Sequence, residues 1–240
     1  MFNVIFYQPI LNVLIWLYLH VAFLDLGFAI ILLTIVIKAI LWPLSQQSVK
    51  AQKSLQEVQP KLEALKKEFA NNKEAQAKAT IALYKEHKIN PFASCLPLLI
   101  QLPFFFAVFQ VFRDITAKDL NGLIYFFVSK GTSIQINPHG FFNLLDLSKP
   151  NPYLAVLAGA AQFWQAKMMS TQKPPIKDSG AKDESMAAIM NKQMLYMMPV
   201  MTVVIGVTLP SGLSLYWLVL TLLTILQQYI VFKQKQAVTV

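Results

Sequence analysis

The chain has 240 residues, of which 55% are hydrophobic and 14% charged, with 21 Lys and Arg against 12 Asp and Glu. A soluble domain carries about 25% charged residues, so this composition argues against an ordinary water-soluble globule and points to a membrane protein. The single cysteine, Cys95, rules out a disulfide within the chain.

In chain order, residues 1–22 are apolar but interrupted by Pro9, Asn12, Trp16, Tyr18 and His20, which suits an external interfacial helix better than a span. No Lys or Arg precedes Lys38, so the charged start of a cleavable signal peptide is lacking and little processing is expected. Five stretches read as transmembrane helices: 23–45, 94–112, 153–169, 194–209 and 212–232. At 1.5 Å per residue the shorter ones reach only ~25 Å, which suits a locally thin bilayer.

Lys38 is the only charged residue between Leu26 and Leu44. An ammonium at the bilayer centre costs about 3 kcal/mol on insertion scales, so it normally faces a wet cavity or a partner. The alternative is snorkelling: Lys38 lies seven residues from Ser45, or ~10 Å at helical rise, within partial reach of the headgroups.

Residues 46–93 form a polar insert. Leu55, Val58, Leu62, Leu65 and Phe69 repeat at spacings of three and four, a heptad seam, and Glu57–Lys61 and Glu63–Lys67 add pairs four residues apart. Asn71-Asn72 offers a turn, after which Ala77, Ile81 and Tyr84 share a helical face. The expectation is an antiparallel helical hairpin outside the bilayer, kinked at Pro60.

Charge sets the topology. The hairpin, the loop 170–193 with its flank from Lys167, and the tail 233–240 together hold sixteen lysines, whereas the loop 113–152 on the other side holds Arg113, Lys118, Lys130 and Lys149. By the positive-inside rule the hairpin and C-terminus are cytoplasmic and the N-terminus is outside. Pro97, Pro103 and Pro199 fall within spans, where neighbouring helices re-satisfy the freed carbonyls. Pro210-Ser211-Gly212 makes a short outer turn that packs the last two helices antiparallel.

The segment NPFASCLPLLIQLPFFFA at 90–107 resembles the signature of the second core helix in the YidC/Oxa1/Alb3 membrane protein insertases. Gln59-Pro60-Lys61-Leu62 and Leu83-Tyr84-Lys85-Glu86-His87 resemble that family's cytoplasmic hairpin, and Asp146-Leu147-Ser148 with Pro150, Pro152 and Tyr153 the approach to its third helix. Met198-Pro199, Leu209-Pro210-Ser211-Gly212-Leu213, Leu215-Tyr216-Trp217 and Gln227-Gln228-Tyr229 resemble its final helical pair, so the likeness covers about residues 20–232.

The resemblance implies an all-α, polytopic protein of the bacterial plasma membrane. Its five-helix core would hold a hydrophilic groove open to cytoplasm and lipid, in the compact form without a large outer domain. The groove's basic residue, usually arginine in the family, falls on Lys38; lysine keeps the charge but not the planar fork that holds carboxylates bidentately. Thr34, one turn outward, and Tyr216 and Trp217 fall on groove positions, while Gln162, Gln165 and Gln101 are the other polar residues within spans. The glutamines could equally be interhelical hydrogen bonds, and the aromatic pair an interfacial belt. Nascent membrane proteins and lipids are the implied partners, the hairpin residues Leu55, Val58, Leu62, Leu65 and Phe69 recruiting the former. A Sec-type translocon and the ribosome are further partners of such proteins, although the short tail with Lys233 and Lys235 argues against tail-mediated ribosome binding.

Catalytic readings find no support. His20, His87 and His139 lack metal-ligand spacing, Ser211 has no partnered base, and no phosphate-binding glycine loop is present. No enzyme activity, cofactor, metal or DNA partner is expected. The competing function is a small-solute transporter or channel, weakened by the lack of an internal inverted repeat. A scaffold that binds other membrane proteins would leave Lys38 dispensable.

Overall fold

The computed structural model describes residues 1–70, 72–90, 96–115, 120, 122–129, 134–169 and 193–234. The start of the signature segment at 91–95, most of the loop 170–193 and the tail after 234 lie outside the described residues. The described part is mostly helical.

The chain opens with a wide π-helical turn, Asn3–Tyr7, that runs into α1, Gln8–His20, with Pro9, which has no N–H to donate, just after the junction. Leu11, Leu14 and Ile15 are fully buried and Val13 and Trp16 point outward, the pattern of a helix with one face in a core. Polar ties hold α1 to the segment between α5 and α7. Asn12 donates to the carbonyls of Gln8 and Leu123 and accepts from the Tyr125 amide at 2.6 Å. The Tyr18 hydroxyl accepts from the Asn137 amide, and Tyr7 donates to Asp114 Oδ2 at 3.1 Å.

Helix α2, Leu26–Ile40, starts three residues later than the apolar run suggests, because Asp25 caps it by accepting from the Phe28 amide at 3.1 Å. It stops at Leu41. Pro43 has no N–H to give the Ala39 carbonyl, and α3, Trp42–Glu68, leaves at 70° to α2. Helix α3 continues unbroken through Pro60, so the sharp change of direction falls at Leu41. Val58 and Leu62 are buried on it, while Leu55, Leu65 and Phe69 are half-buried.

Asn72 caps α4, Lys73–Glu86, through the Ala75 amide at 3.0 Å, and α4 returns along α3 with Lys61 Nζ 3.0 Å from His87 Nε2. The buried face of α4 differs from the one its apolar residues suggest. Ala77 and Ile81 are exposed, and Leu83 is buried with Gln76, Thr80 and His87 half-buried beside it. Of the expected set only Tyr84 is half-buried, so the short α4 is turned to bury Leu83 rather than Ile81.

Helix α5, Leu96–Asp114, carries Pro103 internally and buries Ala107, Val108, Val111 and Phe112. A short helix α6, Phe126–Ser129, and a two-stranded antiparallel hairpin follow, with β1, His139–Gly140, paired to β2, Leu145–Asp146. Gly140 is required there: a Cβ would sit 2.7 Å from the Gly27 nitrogen and 2.6 Å from Leu147.

Asn151 caps α7, Pro152–Met169, by accepting from the amides of Tyr153 and Leu154. A π-helical turn, Gln193–Met197, leads into α8, Met198–Gly206, and the chain ends its described part in α9, Ser211–Gln234. Helix α8 runs back along α7, close enough that a side chain at Gly159 would strike Val203 and one at Gly206 would lie 2.8 Å from Ala155. Small residues at such crossings are what let membrane helices approach. The first turn of α9 is satisfied by the segment before α7: the amides of Ser211 and Gly212 donate to the carbonyls of Lys149 and Leu147 at 2.9 and 3.0 Å. Helix α9 lies parallel to α2, Gly212 near Ile30 and Thr224 near Lys38.

Among the described residues, Ser211–Lys233 is long and apolar enough to cross a membrane on its own; Leu26–Ile40 with Trp42–Leu65 qualifies only as a bent pair, and Leu195–Gly206 is apolar but shorter.

Candidate functional site

The last turn of α2 places Lys38 against α9. Its side chain is only 7% exposed, and Nζ donates to Thr224 Oγ1 at 2.9 Å and to Ser45 Oγ at 3.5 Å. Thr224 passes its own proton to the Leu220 carbonyl at 2.8 Å, which leaves its lone pairs facing the ammonium. An ammonium has donors only, so Ser45 must accept from Lys38 and turn its proton elsewhere. It goes to Gln227 Oε1, 2.5 Å away. The amide of the fully buried Gln227 is thereby oriented with Nε2 pointing away from Ser45, where it makes no hydrogen bond.

The 70° break at Leu41 produces this arrangement. A straight continuation of α2 would carry Ser45 up the same helix, two turns from Lys38. Bending at Leu41 swings the first turn of α3 across α9 and sets Ser45 between Lys38 and Gln227. Among the described residues no carboxylate pairs with Lys38; the ion pairs Lys78–Glu74, Arg113–Asp114 and Lys149–Asp146 lie elsewhere. Two hydroxyls offset part of the cost of desolvating the ammonium but leave its charge and one proton uncompensated, a setting that favours an anionic or strongly accepting group.

The other expected groove residues make their contacts apart from this centre. Thr34, fully buried one turn outward on α2, donates to the Ile30 carbonyl of its own helix at 2.7 Å. Tyr216, 1% exposed, accepts from Gln101 Nε2 at 2.8 Å, eight residues and so about 12 Å outward from Thr224 along α9. Trp217 is half-buried against Phe105, ring centroids 5.4 Å apart. Gln162 accepts a hydrogen bond from Thr202 across the α7–α8 contact, and Gln165 is half-buried further along α7.

Ser45, Thr224 and Gln227 are the members that sequence reasoning missed. Thr221, Thr224, Gln227 and Gln228 recur at helical spacing on an otherwise apolar helix, and three of the four are buried. That polar stripe was visible in the sequence. The position of Ser45 was not, because it depends on the break at Leu41. No group of His, Cys, Asp and Glu that could hold a metal occurs among the described residues.

Residues 16–238 match the model of the family described as 60Kd inner membrane protein. The chain is 37% identical to the membrane protein insertase YidC of Fusobacterium nucleatum over 212 residues, covering 88% of this chain and 87% of that one. It is 33% identical to the YidC of Geobacter sp. strain M21 over 229 residues and 35% identical to that of Syntrophus aciditrophicus over 230. In those two the match covers 94% and 95% of this chain but only 36% of the relative, so the chain spans about a third of their length. A match over nearly the whole sequence, at this identity, places the chain in the 60Kd inner membrane protein family, the family of YidC and Oxa1.

Proposed function

We propose that this chain is a membrane protein insertase: it receives apolar segments of newly made proteins and helps them into the bilayer. The observation that carries the reading is Lys38, a buried ammonium held by hydroxyls with no carboxylate among the described residues, in a chain whose relatives are named insertases.

The arrangement we propose has five spans, over 23–45, 94–112, 153–169, 194–209 and 212–232, with the N-terminus outside and the hairpin and C-terminus in the bacterial cytoplasm. The client meets the hairpin first, along the apolar seam of Leu55, Val58, Leu62, Leu65 and Phe69. Its polar outer segment then enters the groove at Lys38, where attraction between charges exceeds its value in water. Gln162, Gln165 and Trp217, all half-buried, flank the path, with Thr34 and Tyr216 buried behind it. Burial of the client's own ~20 apolar residues supplies the net driving force, so no nucleotide is consumed. Membrane potential assists an acidic segment by ~2.3 kcal/mol per charge per 100 mV. Lipids are direct partners; a Sec-type translocon and the ribosome are optional ones.

The test is reconstitution. Vesicles holding only the purified chain receive a single-span client with a short acidic outer tail, and protease protection of the tail is scored. Protection several-fold above empty vesicles is expected. Background-level protection together with flux of small solutes would favour a transporter instead.

A further inference from the structure

Two turns at the end of α2 remote from Lys38 hold bulky apolar residues in backbone conformations that such residues avoid. Phe23 and Leu24 have φ of 54° and 60°, and Phe141, Phe142 and Asn143 have 54°, 58° and 69°. Left-handed conformations at non-glycine residues persist only where the surroundings over-determine them, and they mark positions where a particular side-chain direction is needed. Here the buried Asp25 carboxylate does the determining. Its Oδ1 accepts from the Phe28 amide at 3.1 Å and its Oδ2 from the Phe142 amide at 2.7 Å, so one side chain clamps both turns to the start of α2. Gly140 and Gly27 pack backbone to backbone beside it, and the Phe28 ring meets Phe142 edge-on with centroids 5.7 Å apart.

The clamp turns large apolar groups outward. Phe23 is 93% exposed, Phe142 82% and Leu144 80%, with Leu24 more than half exposed. Phe23, Leu24 and Phe142 line the rim of one cavity of about 290 Å³, so the two turns form a single surface. Neither residues 1–37 nor 131–148 contain a Lys or Arg; Asp25 is buried, and Asp146 is taken up by Lys149 at 2.8 Å. The surface is continuous with the membrane part of the molecule. Phe23 and Leu24 lead directly into α2, and Leu147, three residues beyond Leu144, caps the long apolar helix α9 through its carbonyl. The turns therefore stand where hydrocarbon gives way to headgroups, the depth at which aromatic side chains are enriched.

We infer that the Phe23–Leu24 and Phe142–Leu144 turns form a lipid anchor, inserting their apolar side chains into the interfacial layer of the leaflet opposite the hairpin. The partner is the lipid surface itself. The anchor rests on the spanning arrangement proposed above, and it fixes the end of α2 remote from Lys38.

Single cysteines replace Phe23, Phe142, Trp164 and Ile81 in a Cys95→Ser background, each carrying an environment-sensitive fluorophore, in vesicles of phosphatidylethanolamine and phosphatidylglycerol. Trp164, exposed on α7, reports lipid contact of a proposed span, and Ile81 on the hairpin reports water. The labels at Phe23 and Phe142 are expected to lose about half of their emission to lipids bearing a shallow nitroxide and to resist aqueous iodide, as interfacial side chains do. Quenching by iodide as strong as at Ile81, without lipid quenching, would overturn the anchor while a lipid-quenched Trp164 label left the spanning arrangement standing. Protection from both quenchers would mean that a second copy of the chain covers the turns, and would overturn it as well. A Trp164 label that lipids do not quench would instead remove the spanning arrangement and the anchor with it.

Discussion

Lys38, Ser45 and Gln227 form a relay whose direction follows from chemistry: the ammonium can only donate, so Ser45 accepts from it and donates onward to the Gln227 carbonyl oxygen. Ser45→Ala removes the middle link. It is expected to lower stability by about 1 kcal/mol, as interhelical hydrogen bonds in membranes do, and to reduce client insertion several-fold while Lys38 keeps Thr224. Thermal unfolding in detergent and the protease-protection assay read the two effects separately; unchanged insertion would remove Ser45 from the site. Gly140→Ala acts differently. Its methyl group would lie 2.7 Å from the Gly27 backbone, an overpacking of the kind that costs about 1–3 kcal/mol, so unfolding should shift to lower temperature. That Lys38 needs partners inside the protein was legible from one charge in a greasy run, and the structure buries it. Its hydroxyl partners were not, since Ser45 becomes a neighbour of Gln227 only through a bend whose angle no local pattern states.

Among the elements, each apolar run that the sequence singled out holds a helix in its described residues, but the helix ends are set by side chains that hydropathy ignores. Asp25 moves the start of α2 to Leu26, Asn151 starts α7, and Pro43 ends α2 before Leu41 although the residues stay apolar to Leu44. The face of α4 was misjudged for a related reason. Ala77, Ile81 and Tyr84 are its obvious apolar set, yet a short helix covering one partner is oriented by contact rather than by its own hydrophobicity. Asn72 starts that helix, so Asn72→Ala should loosen the hairpin tip by about 1 kcal/mol, the ordinary worth of such a cap. Hydrogen exchange of the Ala75 and Gln76 amides would show the change; protection equal to wild type would show that packing on α3 suffices without the cap.

For the whole molecule, the segment between α5 and α7 is a clasp that joins the N-terminal helix, α2 and α9. Part of it is electrostatic. Hydrogen bonds from Lys149 and Ser148 hold the Asp146 carboxyl down at about 2, against an ordinary value of 3.8. A depressed carboxyl contributes stability above its unfolded value and loses it as pH falls through the folded one. The clasp should therefore weaken between about pH 4 and 2, and Asp146→Asn should flatten that part of the unfolding-temperature profile. The pair is exposed, so the step is small and fades in high salt; a profile identical in wild type and Asp146→Asn would exclude Asp146 as its source. The charge bias between the two sides of the chain was readable at once, whereas a clasp built from backbone carbonyls of Leu147 and Lys149 leaves no trace in composition.

The central claim is that the buried charge at Lys38 draws the client's polar segment into the groove. The direct measurement is insertion of the single-span client into vesicles containing wild type, Lys38→Arg or Lys38→Ala, each with an acidic and a neutral outer tail. The account predicts that Lys38→Arg inserts the acidic-tailed client like wild type. Lys38→Ala should lose about tenfold on that client, the effect of about 1.4 kcal/mol, and much less on the neutral one. Equal insertion by all three proteins, on both clients, would contradict it.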